Sequence, residues 1–227
     1  MVRLEMPEAS DRRYFEERYK GGYGLVYPDG HVIRFNRHIL EWELGLRSGK
    51  ILDYGCGNGS HLKYFETNGF IPYGCDVSST AIERCKRLMP EYEKNFHVVE
   101  NVPRLSDYFD EEFDIVFSNQ TLYFLNDDGI NNLVAQFHKM LRPGGIFFAT
   151  MIAPTNYYAR FAESTSGDMT KVVLKGRLNN TLYINFKSKE EVVQMFGAFE
   201  KLHMGFYGHT VREGEGPTDH NLFVGRK

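Results

Sequence analysis

The sequence predicts one open α/β sheet, mostly parallel, with helices on both faces and extra segments at the amino terminus and after the fifth strand. Three observations carry this. From Lys50 onward, short apolar runs bounded by Gly, Asn, Pro or charged residues alternate with segments of helical period, the pattern of βα units. After the run ending at Ile152, the chain turns polar and irregular before periodicity returns near Thr181. The length, 227 residues, exceeds the roughly 100–200 of an ordinary domain by a margin that suits one domain with appendages.

The strand runs are Lys50–Tyr54, Ile71–Cys75, Phe96–Glu100, Phe113–Ser118 and Ile146–Ile152. Between the second and third, Ser78-Ser79-Thr80 precedes Ala81, Ile82, Cys85 and Leu88. With Glu83 three residues beyond Thr80, this reads as an N-cap and capping-box partner, and Pro90 closes the helix. Asp127-Asp128 places acid where the helix dipole favours it, and Ile130, Leu133, Val134, Phe137, Met140 and Leu141 recur at helical spacing. Arg142-Pro143-Gly144-Gly145 then turns the chain into the fifth strand. Lys189–Phe196 reads as a helix, and Lys201–Tyr207 and Asn221–Val224 as closing strands. The organisation is therefore 1–49 as an N-terminal cap with a lead-in helix from about Asn36 to Leu46, and 50–227 as the main domain, carrying a cap insertion at 154–188.

Composition narrows the function. Hydrophobic residues make up 42% and charged residues 25%, the averages of globular chains, which excludes collagen-like and disordered readings. A net charge of −3 provides no basic field for nucleic acid. No apolar stretch approaches the roughly 20 residues of a membrane span, and the amino terminus is charged where a signal peptide would be apolar. The expectation is a cytoplasmic monomer or homodimer that acts on a small molecule and binds neither nucleic acid nor membrane. Cys56, Cys75 and Cys85 lack metal-type spacing, so reduced thiols and no metal site are expected.

The informative stretch is Ile51-Leu52-Asp53-Tyr54-Gly55-Cys56-Gly57-Asn58-Gly59-Ser60-His61, a strand running into a glycine-rich turn and then a helix. Glycines at 55, 57 and 59 permit positive φ and close approach of a ligand to main chain. At the end of the next strand, Asp76 stands where a carboxylate accepts hydrogen bonds from ribose hydroxyls. Nucleoside binding follows. A dinucleotide fingerprint begun at Gly55 requires glycine where Ser60 stands, which disfavours NAD, and there is no P-loop.

These residues fit Asp-x-Gly-x-Gly-x-Gly with an acid at the end of the second strand, and here the chain resembles the class I S-adenosylmethionine-dependent methyltransferases. The resemblance extends through YGCDVSSTAI, FDIVFSNQTLYFL and LRPGGIFFATM, in that order, over about residues 50–153. It implies a Rossmann-like fold with an antiparallel closing strand and S-adenosylmethionine as cofactor. It further implies that Asp53 orients the methionine amino group, that Gly55, Gly57 and Gly59 face the methionine and ribose portions, and that Asp76 takes the ribose hydroxyls with Val77 beside the adenine. Asn101 stands where the family often has an acid that reads the adenine amine. Asn119 and Gln120 lie beside the path of the methyl.

Methyl transfer depends mainly on alignment, with a general base added when the acceptor carries a proton. His31, after the Pro28-Asp29-Gly30 turn, and His220, ahead of the last strand, are the candidate bases, and Tyr123 the candidate substrate contact after the fourth strand. Residues 154–188 hold five basic residues against Glu163 and Asp168, so an anionic acceptor is expected near Arg160 and Arg177. The stretches Tyr27–Phe35 and Ile152–Tyr158 are similar to segments of bacterial capsule and surface-polysaccharide methyltransferases, which act on sugar hydroxyls or phosphoramidate groups. That similarity adds Tyr27, Arg34 and Tyr157 to the substrate candidates. The competing readings are an NAD-dependent oxidoreductase and an adenosylmethionine-binding module without catalysis.

Overall fold

In strand β1 (Gly49–Tyr54), alternate side chains go to opposite faces: Ile51 enters one hydrophobic cluster and Leu52 another. Strand β4 (Phe113–Ser118) repeats this, with Ile115 and Phe117 on the first face and Val116 on the second, and so does β5 (Leu141–Ile152), with Ile146 and Phe148 opposite Phe147 and Ala149. A sheet buried on both faces requires such continuous apolar runs, which is why these strands were readable in the sequence. The computed structural model describes residues 8–24, 26–174, 180–213 and 215–227.

The main sheet has seven strands in the order β3-β2-β1-β4-β5-β10-β9, with β2 (Phe70–Asp76), β3 (Phe96–Val98), β9 (Glu200–Tyr207) and β10 (His220–Arg226). Strands β1 to β5 run parallel, and β10 enters antiparallel between β5 and β9. One face is covered by α5 (Asp127–Met140) and α6 (Lys189–Met195), the other by α3 (Ser60–Thr67), α4 (Ser79–Leu88) and the N-terminal helical segment. Phenylalanine dominates the largest fully buried side chains, including Phe35, Phe65, Phe117, Phe147, Phe148 and Phe223.

Three local expectations are corrected. The N-cap of α4 is Ser78, whose hydroxyl accepts from the Ala81 amide at 3.1 Å; Thr80 instead donates to Glu16. The lead-in helix starts earlier than Asn36: α2 (Gly30–Arg34) runs directly into a π-helical stretch, Phe35–Glu43. Residues 162–174 and 180–184, read as irregular until Thr181, form a separate antiparallel sheet of β6 (Ala162–Ser166), β7 (Met169–Leu174) and β8 (Asn180–Ile184). β6 is exposed along its whole length and therefore has no apolar alternation to betray it. The signal that was present is Gly167-Asp168, a two-residue hairpin turn with Gly167 at φ +61°.

Helix α1 (Glu8–Lys20) is fastened over the start of α4. Glu16 accepts from the Ser78 hydroxyl at 2.6 Å, from the Thr80 amide at 3.2 Å and from the Thr80 hydroxyl. These bonds, led by Ser78, hold its carboxyl down at about 2. Arg84 of α4 adds bonds to the carbonyls of Tyr19 and Tyr23, the latter at 3.0 Å. Among the described residues no helix is long and apolar enough to cross a membrane.

Candidate functional site

The carboxyl ends of β1, β2 and β4 open into a cavity of about 700 Å³, the place where open α/β sheets bind ligands. Its floor is the glycine loop. Gly55 and Cys56 both donate to the Cys75 carbonyl, at 2.8 and 3.0 Å, so the loop turns tightly over the end of β2. Gly55 and Gly57 lie at φ +80° and +53°. A Cβ on Gly55 would meet the Thr121 side chain at 2.2 Å, and one on Gly57 would meet the Tyr19 hydroxyl at 2.4 Å. Both positions are thus closed to other residues by conformation and by space.

Asp76 ends β2 in the cavity wall. Its carboxylate accepts from the Gly57 and Ser78 amides, each at 2.9 Å. Burial pushes its pKa up to about 6, against the pull of those amides. Val77, Val99 and Asn101 line the same end of the cavity, and the Asn101 carbonyl accepts from Tyr54. Tyr19 closes this end from α1.

The far end is built from side chains brought together from distant segments. Gln120, among the described residues the one non-glycine at positive φ (+56°), is held by its amide bond to Thr150 Oγ1 at 2.7 Å. Its side chain donates to the Tyr207 hydroxyl at 3.2 Å and to Asp29 Oδ2 at 3.4 Å. Asn119 Nδ2 donates to the same Asp29 oxygen at 3.2 Å, and Asn119 Oδ1 lies 2.9 Å from His31 Nε2. The Tyr207 ring is sandwiched between His31 (centroids 3.8 Å apart, 12° between planes) and His220 (4.9 Å, 5°). His220 Nδ1 bonds the Thr218 carbonyl at 2.8 Å, which fixes the tautomer with the basic lone pair on Nε2. That Nε2 is buried with no hydrogen-bond partner, and burial pulls the imidazole down to about 4. His31 is lowered as well, first by burial, against the opposing effects of Asn119 and Asp29.

Of the residues expected from the sequence, Gly55, Gly57, Asp76, Val77, Asn101, Asn119, Gln120, Tyr123 and His220 line the cavity. Asp53 does not: it is 1% exposed beneath the loop, both carboxyl oxygens unpaired, and burial pushes its pKa well up. Gly59 stands behind the cradle as the N-cap of α3, against Cys85. His31 reaches the site through Asn119. The other substrate candidates lie elsewhere: Arg34 and Arg160 are exposed, Tyr27 is 79% exposed, and Tyr157 packs on Tyr158 and Phe161 outside the cavity wall. The described members of the basic cluster are likewise absent from the cavity wall. Lys171 pairs with Glu163 at 2.9 Å and Lys187 with Asp127 at 2.8 Å, while Lys175 and Arg177 lie outside the described residues. Missed by sequence reasoning were Asp29, His61, Thr150 and Tyr207; Tyr14, Tyr19 and Tyr23 were visible only as a tyrosine series. The three cysteines are free and buried, and among the described residues no cluster of His, Cys, Asp or Glu is arranged to hold a metal.

The methyltransferase domain family matches residues 52–149. An uncharacterized methyltransferase of Synechocystis is 29% identical over 126 residues, covering 55% of this chain and 57% of that protein. The malonyl-[acyl-carrier protein] O-methyltransferase of Enterobacter lignolyticus is 29% identical over 107 residues (47% and 40%), and the ubiquinone biosynthesis O-methyltransferase of Mesorhizobium japonicum 33% over 108 (47% and 42%). The chain thus spans about half the length of these relatives. In fold it is similar to the 1,6-didemethyltoxoflavin-N1-methyltransferase of Burkholderia thailandensis, with a TM-score of 0.67 at 19% identity over 100% of this chain and 91% of that one. Nothing in these comparisons supports the capsule resemblance. The matched stretch, residues 52–149, spans the glycine cradle and the acid at the end of β2, so it is over this part that the chain is similar to methyltransferase domains.

Proposed function

We propose that this protein transfers a methyl group from S-adenosylmethionine to a small polar acceptor that carries an ionisable hydrogen. The observation that carries the reading is that one cavity joins the glycine cradle and Asp76 to the unpartnered Nε2 of His220. The cradle fits the donor, since Gly55 and Gly57 put main chain in a tight positive-φ turn at the cavity wall, and Asp76 retains lone pairs for ribose hydroxyls. Val77, Val99 and Asn101 would receive the adenine, and Asn119 and Gln120 would flank the transferred group. The bound donor supplies a methyl on a positively charged sulfur, which an acceptor lone pair displaces in line.

The protein's own contribution is alignment and proton removal. An acceptor oxygen or nitrogen becomes strongly acidic as it bonds to carbon, so even an imidazole held near 4 suffices to take its proton. His220 is neutral at pH 7 and its tautomer is set by the Thr218 carbonyl. Tyr123, buried in the cavity wall 5.6 Å from the His220 ring, would contact the acceptor. The cap role of 1–49 and 154–188 is part of this proposal, supported by Tyr14, Tyr19, Tyr23 and Leu182 in the cavity wall. An anionic sugar or phosphate acceptor gains no support from Arg160, Lys171 or Lys187, none of which lines the cavity.

The test is a thermal-shift comparison of S-adenosylhomocysteine, NAD and no ligand, because only a ligand that binds the native state raises the midpoint. A shift with adenosylhomocysteine and none with NAD is expected. The reverse would restore the oxidoreductase reading.

A further inference from the structure

We infer that Asp29 binds the α-ammonium group of the methyl donor, a role the motif alone gives to Asp53. The inference rests on the donor reading above. Asp76 fixes the nucleoside over the end of β2. In the order β2-β1-β4, a molecule anchored there and lying along the glycine loop carries its amino-acid end over β1 and β4. That end is bounded by the start of α3 and by residues 119–121, and Asp29 bridges the two. Its Oδ2 lies 3.4 Å from His61 Nε2 on one side and accepts from Asn119 and Gln120 on the other.

Four further observations point the same way. Among the described residues, Asp29 and Asp76 are the carboxylates in the cavity wall, and Asp76 is committed to the other end. Asp29 is the N-cap of α2, yet its side chain makes no capping bond, in contrast to the usual use of Asp there; it turns into the cavity instead. All the bonds it receives fall on Oδ2, and among the described residues none reaches Oδ1, so acceptor capacity remains for an ammonium. Burial would raise its pKa, but His61, His31 and Asn119 outweigh this and keep the carboxyl below the usual range, hence charged. Asp53 is enclosed and does not line the cavity.

The test needs no acceptor. S-adenosylhomocysteine and its deamino analogue, which lacks only the α-ammonium, are titrated calorimetrically into wild-type protein, Asp29→Asn and Asp53→Asn. Wild type is expected to prefer adenosylhomocysteine. Asp29→Asn should weaken that ligand about 10- to 100-fold, the range for a hydrogen bond to a charged group, and leave the deamino analogue within about twofold. Equal loss of both ligands would make Asp29 a scaffold for Asn119 and Gln120 and overturn the assignment, as would a selective loss confined to Asp53→Asn. Failure of wild type to bind either ligand would overturn the donor reading itself.

Discussion

Residues 54–58 and 75–77 form the end of the cavity that we propose takes the nucleoside, from two neighbouring strand ends, and they do it with main chain: glycine φ angles, backbone amides on Asp76, and the Cys75 carbonyl. The opposite end draws Asp29, Asn119, Gln120, Tyr207 and His220 from four separate segments and joins them through side chains. A site made of backbone is specified by the few residues that permit the backbone. A site made of side chains is specified by each partner, so one substitution there disturbs several neighbours. The two ends should therefore fail differently.

The largest expected effect is at the side-chain end. His220→Ala should lower the single-turnover rate by about 100- to 10,000-fold, the range for loss of a general base, and leave adenosylhomocysteine affinity within about twofold. Transfer of labelled methyl to the acceptor found by a small-molecule screen measures the first, and calorimetry the second; equal losses in both would merge the two ends. Asp76→Ala is the converse, weakening adenosylhomocysteine about 10- to 100-fold. It also strands the Gly57 and Ser78 amides, so wild-type affinity in this variant would place the ribose elsewhere.

Acid stability sharpens the comparison further. His220 falls from an ordinary 6.5 to about 4, so the unfolded chain takes up a proton that the folded chain refuses. Its contribution is complete above 6.5 and is lost as pH falls toward 4, by about 3 kcal/mol at most. Asp76, raised from 3.8 to about 6, has the opposite sign and its contribution is lost as pH rises through 6. The melting temperature of His220→Phe should accordingly fall less than that of wild type between pH 6.5 and 4, and parallel curves would refute the burial argument. The smallest effect belongs to Arg160→Ala. The residue is exposed outside the cavity, so stability should change by no more than about 0.5 kcal/mol and donor affinity not measurably.

The same division explains what the sequence revealed. Gly55, Gly57 and Asp76 are legible because a chain that turns sharply after a strand leaves glycines, and the acid follows at the next strand end. Asp53 was legible as a residue type, but its carboxyl direction depends on the pleat of β1 and the burial beneath the loop. Asp29 was hidden in a Pro-Asp-Gly sequence whose ordinary meaning is a turn. Tyr207 matters through rings on either side of it, from residues 31 and 220, and no local pattern encodes such a stack. Arg34 and Arg160 have the chemistry of anion recognition but face outward, because an arginine's type says nothing of its side on a helix or loop.

The fastening of α1 has a kinetic meaning. Tyr19 lies over Gly57 while Glu16 and Arg84 hold the helix to α4. A nucleoside seated on the loop, as proposed, would have Tyr19 of α1 beside it. We expect residence time to be governed by how often α1 lifts, so that Glu16→Gln hastens product exit more than it weakens binding at equilibrium, as stopped-flow displacement of adenosylhomocysteine would measure.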